Sequence, residues 1–247
     1  MSRNTSPRGH FAVILPSTNT VVEAEYQWML VPGVSWHSSR IYIPNPKLDS
    51  DEAFESFSKD LKVTIADAVK SVMTCKPDYM VMGMSSETFW GGKTGATSFE
   101  AWMRELSGLD VTTGAASCNA ALDVFGAKRI GVITPYQPVG DEQVRNYFTE
   151  MDYIVKSVYG LKCDSATSIA ETTPEQIKAA FRAVDGPDVD VLVQAGTNLP
   201  AALVAAEMEI ELGKSIVPVN TATVWHAYRT HGIMDQITGF GSLLEKH

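Results

Sequence analysis

Cysteine is scarce: Cys75, Cys118 and Cys163 are the only three in 247 residues, and their spacing is irregular. Such a set builds neither a disulfide framework nor a zinc motif, and it suits a reducing compartment. The histidines are as sparse. His10, His37, His226, His231 and His247 show no metal-ligand spacing with one another or with the cysteines, so no metal is expected. Positive charge never clusters, and the formal net charge is −9, which argues against nucleic acid and against an anionic membrane surface as partner. Apolar runs fall far short of the roughly 20 residues of a membrane helix. The polar stretch 1–10 has no apolar signal core. A soluble, cytoplasmic protein is the expectation. Gly91-Gly92-Lys93-Thr94 hints at a phosphate loop, but the glycine required five residues before Gly92 is Glu87.

What the chain does contain is a substantial apolar fraction, 45%, arranged in short runs. Four of these end in loops of small hydroxyl and amide residues. Phe11-Ala12-Val13-Ile14-Leu15 opens into Pro16-Ser17-Thr18-Asn19-Thr20, and Tyr79-Met80-Val81-Met82-Gly83 into Met84-Ser85-Ser86-Glu87-Thr88. The second half repeats the device. Ile130-Gly131-Val132-Ile133 leads to Thr134-Pro135-Tyr136, and Val191-Leu192-Val193-Gln194-Ala195 leads to Gly196-Thr197-Asn198-Leu199. Continuous apolar runs mark parallel strands buried on both faces, and ligands of open α/β sheets collect beyond the carboxyl ends of such strands.

Helical apolar spacing covers 20–29, with Glu23 and Glu25 suited to its amino end, then 53–75, 99–106, 141–151, 174–184, 200–212 and 221–231. Within 53–75 the apolar stripe includes Phe54, Phe57, Leu61, Ile65, Ala68 and Val72. Thr173-Pro174-Glu175 reads as a capped helix start, and Ser117 or Asn119 as the cap of a helix ending at Phe125-Gly126. Further strands are read at 34–43, 110–113, 153–159 and 216–219, the first closed by Pro44-Asn45-Pro46. This alternation, run twice, predicts an α/β fold of two pseudo-symmetric lobes, each a parallel sheet flanked by helices, with the active-site cleft between them. The expected lobes are 1–115, with a C-terminal helix at about 221–247 crossing back to it, and 116–220.

Five features in the same order resemble the aspartate/glutamate racemase superfamily, and within it the branch of maleate cis-trans isomerases and arylmalonate decarboxylases. They are Pro16-Ser17-Thr18-Asn19-Thr20 with Glu23, the Ser85-Ser86 pair, the 126–136 segment ending in Thr134-Pro135-Tyr136, Thr197-Asn198-Leu199-Pro200, and Gly239-Phe240-Gly241. The likeness spans nearly the whole chain. It implies isomerase, racemase or decarboxylase chemistry on a small carboxylate or dicarboxylate, without a cofactor, and a homo-oligomer. Asn19 would grip a carboxylate from the first lobe and Tyr136 from the second. Pro16, Ser17, Met84, Gly196, Thr197 and Asn198 would line the substrate site, with Ser85 and Ser86 as hydroxyl donors of the catalytic group. The chain also departs from the pattern. Cysteines at the loop starts do the proton or addition chemistry in these enzymes, and the resemblance puts them at Met84 and Gly196, neither of which can replace a thiolate. Asp164-Ser165 stands where a related motif has an asparagine.

Each candidate has a plainer alternative. Ser, Thr and Asn in such loops often only cap turns, Asn19 can cap the helix before Val21, and Tyr136 can be a half-buried loop aromatic. Phe89 and Trp90 line a pocket or belong to the core. Glu87, on this reading, is either a solvent-facing glutamate or a general base whose pKa burial raises. Cys118 is either a displaced nucleophile or a buried inert thiol. The leading function is an isomerase- or lyase-type enzyme without the usual cysteine pair. The alternatives are a carboxylate-binding protein of the same fold without catalysis, or a hydrolase using Glu87.

Overall fold

The computed structural model describes the backbone of residues 5–44 and 51–247, and the side chains of all of these except 51–60. The Asn45-Pro46 part of the predicted loop and the side chains of Phe54 and Phe57 lie outside the described residues. The chain runs β1 (Gly9–Pro16), α1 (Val22–Trp28), β2 (Val34–Ile41), α2 (Asp51–Met73), β3 (Tyr79–Met82), α3 (Ser86–Phe89), α4 (Gly92–Ser107), β4 (Val111–Thr112) and α5 (Gly114–Val124). It continues through β5 (Arg129–Thr134), α6 (Pro138–Glu150), β6 (Ile154–Gly160), a 3-10 turn (Ser168–Glu171), α7 (Pro174–Val184), β7 (Val191–Gln194), α8 (Ala202–Leu212), β8 (Ile216–Pro218), α9 (Val219–Thr230) and α10 (Ser242–Lys246). Two four-stranded sheets result, with orders β2-β1-β3-β4 and β6-β5-β7-β8, and every pairing is parallel. Among the described residues no helix is long and apolar enough to cross a membrane.

Strand side chains alternate between faces, and in β1, β3, β5 and β7 both faces are buried. Phe11, Val13 and Leu15 point into a central core that also takes Val132, Val193 and the inner side chains of α1, α5 and α9. Ala12 and Ile14 point the other way, onto Leu61, Ile65, Val69 and Val72 of α2. In the second sheet Ile133 and Leu192 face α7 and α8 through Ile177, Phe181 and Met208. The α9 helix is buried nearly all round, packs against α1, α5 and β4, and sends the Tyr228 hydroxyl to Met29 O at 3.1 Å. With both sheets facing one shared core, the carboxyl ends of β1, β3, β5 and β7 converge.

Three sequence expectations are corrected. The helix read at 99–106 starts at Gly92, because its first turns are small residues that carry no apolar period. Gly95 is required there, since a Cβ would stand 2.0 Å from Trp90 O. The cap of α5 is Thr113, whose hydroxyl accepts from Ala116 N–H at 3.4 Å; Ser117 lies inside the helix and donates back to Thr113 O at 2.7 Å. The C-terminal helix expected at about 221–247 is two, α9 ending at Thr230 and α10 starting at Ser242, and the four-residue α3 is too short to show a period.

At α7 the capping box is complete: Gln176 N–H donates to Thr173 Oγ1 at 3.3 Å and Thr173 N–H to Gln176 Oε1 at 2.9 Å. Thr173→Ala should lower unfolding stability by about 1 kcal/mol. Urea denaturation checks this, and an unchanged midpoint would show that the box contributes nothing.

Candidate functional site

Four strand-end loops meet at Thr197. Its N–H donates to Ser85 Oγ at 3.0 Å, and that hydroxyl lies 2.9 Å from the Tyr136 phenol oxygen. Thr197 Oγ1 accepts from Asn19 Nδ2 at 3.3 Å. The other end of the Asn19 amide accepts from Val21 N–H at 3.0 Å and Val22 N–H at 2.9 Å, so this residue caps α1 and reaches across to the second sheet together. Asn198 Oδ1 accepts from Thr20 N–H at 3.0 Å, while its Nδ2 donates to Ala166 O at 2.7 Å. Asn19, Ser85, Thr197 and Asn198 are all buried. The polar residues are therefore not separate turn caps but one connected group.

Its electrostatics are neutral. Burial pushes the Tyr136 phenol up to about 12, with the Ser85 hydroxyl bond opposing, so the phenol keeps its proton at neutral pH and can donate it. Nearby Arg40 is engaged elsewhere, donating to Asn19 O at 2.9 Å and Ser17 O at 3.3 Å and pairing with Glu23. Ser85 is also held from behind, since Thr88 Oγ1 donates to its carbonyl at 2.7 Å.

Behind Thr197 stands a carboxylate that sequence reasoning placed wrongly. Glu25 does not merely favour the amino end of α1: it is buried, accepting from Ala202 N–H at 3.0 Å and Asn220 Nδ2 at 2.6 Å. Asn220 Nδ2 also donates to Thr197 O at 2.9 Å. Burial pushes the Glu25 carboxyl up to about 7 against those hydrogen bonds. The signal was present: Glu25 shares the helix face of Val21, Val22 and Met29, all apolar and buried. Asn220 was missed because it sits in a fully buried helix, where no polar face marks it out.

The other predicted residues divide. Pro16 accepts from Asn19 N–H at 3.0 Å and shapes the loop. Ser17 spends its hydroxyl on Ile43 N–H at 3.0 Å, a contact with the chain just past β2. Ser86 opens α3 and lines a cavity of about 70 Å³ with Phe89, Trp90, Tyr136, Gln143 and Val144. Met84 packs among Met80, Met82, Met103 and Ile14. Gly196 takes φ +122°, and a Cβ there would stand 2.4 Å from Pro135 Cδ. Glu87 is half-buried, its carboxyl raised by burial while Lys62 opposes. Cys118 is buried in the central core, where desolvation raises its thiol far above the ordinary range. Asp164-Ser165 belongs to the loop whose Ala166 carbonyl receives Asn198. Linear spacing shows no metal-ligand pattern, but the fold gathers three side chains of that kind. One nitrogen each of His10 and His37 and the Cys75 sulfur lie within 4.8 Å of one another. Sheet register and the end of α2 make this cluster, and linear spacing carries no trace of either.

The model of the arylmalonate decarboxylase family matches residues 52–244. A maleate isomerase of Pseudomonas putida is 26% identical over 94% of this chain and 95% of its own. A maleate cis-trans isomerase of Nocardia farcinica, solved as a cysteine-to-serine mutant with a covalently bound succinylcysteine intermediate, superposes with a TM-score of 0.85 at 21% identity, over 96% of this chain and 98% of its own. A double mutant of arylmalonate decarboxylase in its liganded form gives a TM-score of 0.83 at 18% identity, over 96% and 99%.

Two outcomes follow from the geometry. The folded chain keeps the Glu25 proton between pH about 4.5 and about 7, where the unfolded chain has released it. The stability from this group is thus greatest at low pH and falls by about 3 kcal/mol as pH rises through that window. Glu25→Gln should flatten that part of the stability profile, measured by urea unfolding at several pH values; an equally steep slope would move the titration to another group. Separately, Gly196→Cys forces a side chain into left-handed backbone against the Pro135 ring. It should cost about 1–3 kcal/mol, read as a lowered Tm.

Proposed function

The chain belongs to the arylmalonate decarboxylase family, and from that premise we propose that it is an isomerase- or decarboxylase-type enzyme that works on a small carboxylate without a thiol. The observation that carries this reading is the Ser85 hydroxyl set between the Tyr136 phenol at 2.9 Å and the Thr197 N–H at 3.0 Å. These are three neutral donors from two sheets, and they suit one carboxylate. As a carbanion or enolate develops beside that carboxylate, negative charge spreads onto its oxygens. Donors already in place then hold the later state more tightly than the first.

Of the two reaction types, decarboxylation suits these residues better. Addition to a double bond needs a strong nucleophile, and the Nocardia farcinica enzyme carries a succinylcysteine intermediate. Here the loop starts hold Met84 and Gly196 and the nearby Cys118 thiol is buried and held protonated. Loss of carbon dioxide instead leaves an electron pair on carbon that needs only a proton. Glu87, half-buried on the helix that follows Ser85 and with a raised pKa, is the group we assign to deliver it. Free cysteines and the acidic charge support a cytoplasmic setting, and we place the chain there as a homo-oligomer that uses small carboxylates as its ligands.

Disubstituted malonates and maleate, offered in deuterated water, test the assignment by NMR. The expected result is carbon dioxide release with deuterium at the former malonate carbon, and activity retained after iodoacetamide. Tyr136→Phe should weaken carboxylate binding at least tenfold, about 1.5–3 kcal/mol for a donor to a charged group, with Tm little changed. Asn19→Ala should weaken it similarly but also lose the α1 cap. Saturable binding without turnover would leave a ligand-binding protein. Maleate-to-fumarate turnover abolished by iodoacetamide would sink the thiol-free mechanism.

A further inference from the structure

The sheet end opposite the carboxylate site carries a second group of chemically apt side chains. In the β1–β2 register His10 pairs with Ser35 and Ala12 with His37, so His10 and His37 lie diagonally on one face, the face covered by α2. Their rings stack at 3.8 Å between centroids. Cys75 follows the last turn of α2 and comes down over the same corner, fixed through its N–H and Sγ to Val72 O, each at 3.1 Å. One nitrogen from each ring and the Cys75 Sγ lie within 4.8 Å of one another.

We propose that His10, His37 and Cys75 form a binding site for a zinc-class divalent transition-metal ion. Two imidazoles and a thiolate make a borderline-to-soft donor set, suited to zinc and cobalt(II) and unsuited to calcium or magnesium. Tetrahedral bonds of about 2.0–2.3 Å put ligand atoms roughly 3.3–3.8 Å apart. The closure from 4.8 Å is within reach of side-chain rotation, because Cys75 is exposed and His37 half-buried. Each ring also has an outer partner. Ser35 Oγ lies 2.8 Å from His37 Nε2, and Ser6 Oγ lies 3.4 Å from His10 Nδ1. A ligating histidine commonly gives its second N–H to such an acceptor, which sets its tautomer. His10 is further stapled by Asp78, whose N–H donates to His10 O at 2.8 Å and whose Oδ2 accepts from His10 N–H at 3.2 Å. The fourth position faces an open cleft of about 540 Å³ lined by His37, Ser38, Ser71 and Cys75. His10 and the loop after β1 are separated by six strand residues, about 20 Å. The site is therefore independent of the carboxylate chemistry.

Titration of the full chain with Zn²⁺ by calorimetry and with Co²⁺ by absorption tests the site. One ion per chain is expected, with a thiolate-to-cobalt charge-transfer band in the near ultraviolet. Cys75→Ser should abolish the band, and His37→Ala should weaken Zn²⁺ binding at least tenfold. Cys163→Ser should change neither. Affinity should fall with falling pH, since the ligands must lose protons. His10→Ala removes a ring from the sheet; if that variant fails to fold, Cys75→Ser and His37→Ala decide. Sub-stoichiometric binding, a cobalt spectrum without the sulfur band, or a band that survives Cys75→Ser would overturn the proposal.

Discussion

Thr197 is held on every polar atom it has. Its N–H goes to Ser85, its hydroxyl receives Asn19 and its carbonyl receives Asn220, so that residues after β1, β3 and β8 all meet one residue after β7. The constraint is that buried polar groups must be paired, since an orphaned one costs about 1–3 kcal/mol. Two sheets that share one core bring the carboxyl ends of their strands together, and the loops there are then obliged to satisfy each other. The polar loops and the apolar strands are in this sense one design: the strands supply the attraction, and the loops fix how the two halves meet.

The same constraint shapes what the site can bind. Thr197 N–H is already occupied by Ser85, and one of the two hydroxyls of the Ser85–Tyr136 pair donates to the other, so a ligand that takes these donors must offer acceptors at least as good. A carboxylate does, because hydrogen bonds to an anion are shorter and roughly twice as strong as neutral ones. A neutral ligand would only exchange one set of ordinary bonds for another. On the proposed function, preference for an anion would rest on these neutral donors: Arg40, the arginine beside the loop among the described residues, is consumed by Glu23 and two carbonyls. A buried cation would have had to be paid for by a counter-charge.

The fold was largely legible because its signals are local. Apolar runs of four or five residues between helical periods mark parallel strands, and Thr173-Pro174-Glu175 marks a helix start. The polar loops were legible for the same reason: their residue types follow strands at equal places in both halves. What escaped depends on contacts across the chain. Glu25 and Asn220 are 195 positions apart and meet only after α9 packs against α1. Gly196 read in the sequence as a residue lining the substrate site, yet its backbone turns toward Pro135 and leaves no room for a side chain. His10 and His37 became neighbours through strand register, which linear spacing does not encode.

Glu25 shows why the outer layer matters to the chemistry. A carboxyl poised near neutrality beside the Thr197 loop can exist as an acceptor of two donors or as a neutral acid, and only the first form keeps Ala202 N–H and Asn220 in charge-assisted bonds. Asn220 in turn holds the carbonyl of Thr197, the residue whose N–H, in the preceding peptide, is aimed at Ser85. Protonation of Glu25 removes the charge from its bonds to Ala202 N–H and Asn220 Nδ2, the two links that stand behind the Thr197 loop. Catalysis by fixed dipoles depends on their being held before charge develops, and on the function proposed above Glu25 is the titratable group that stands behind those dipoles.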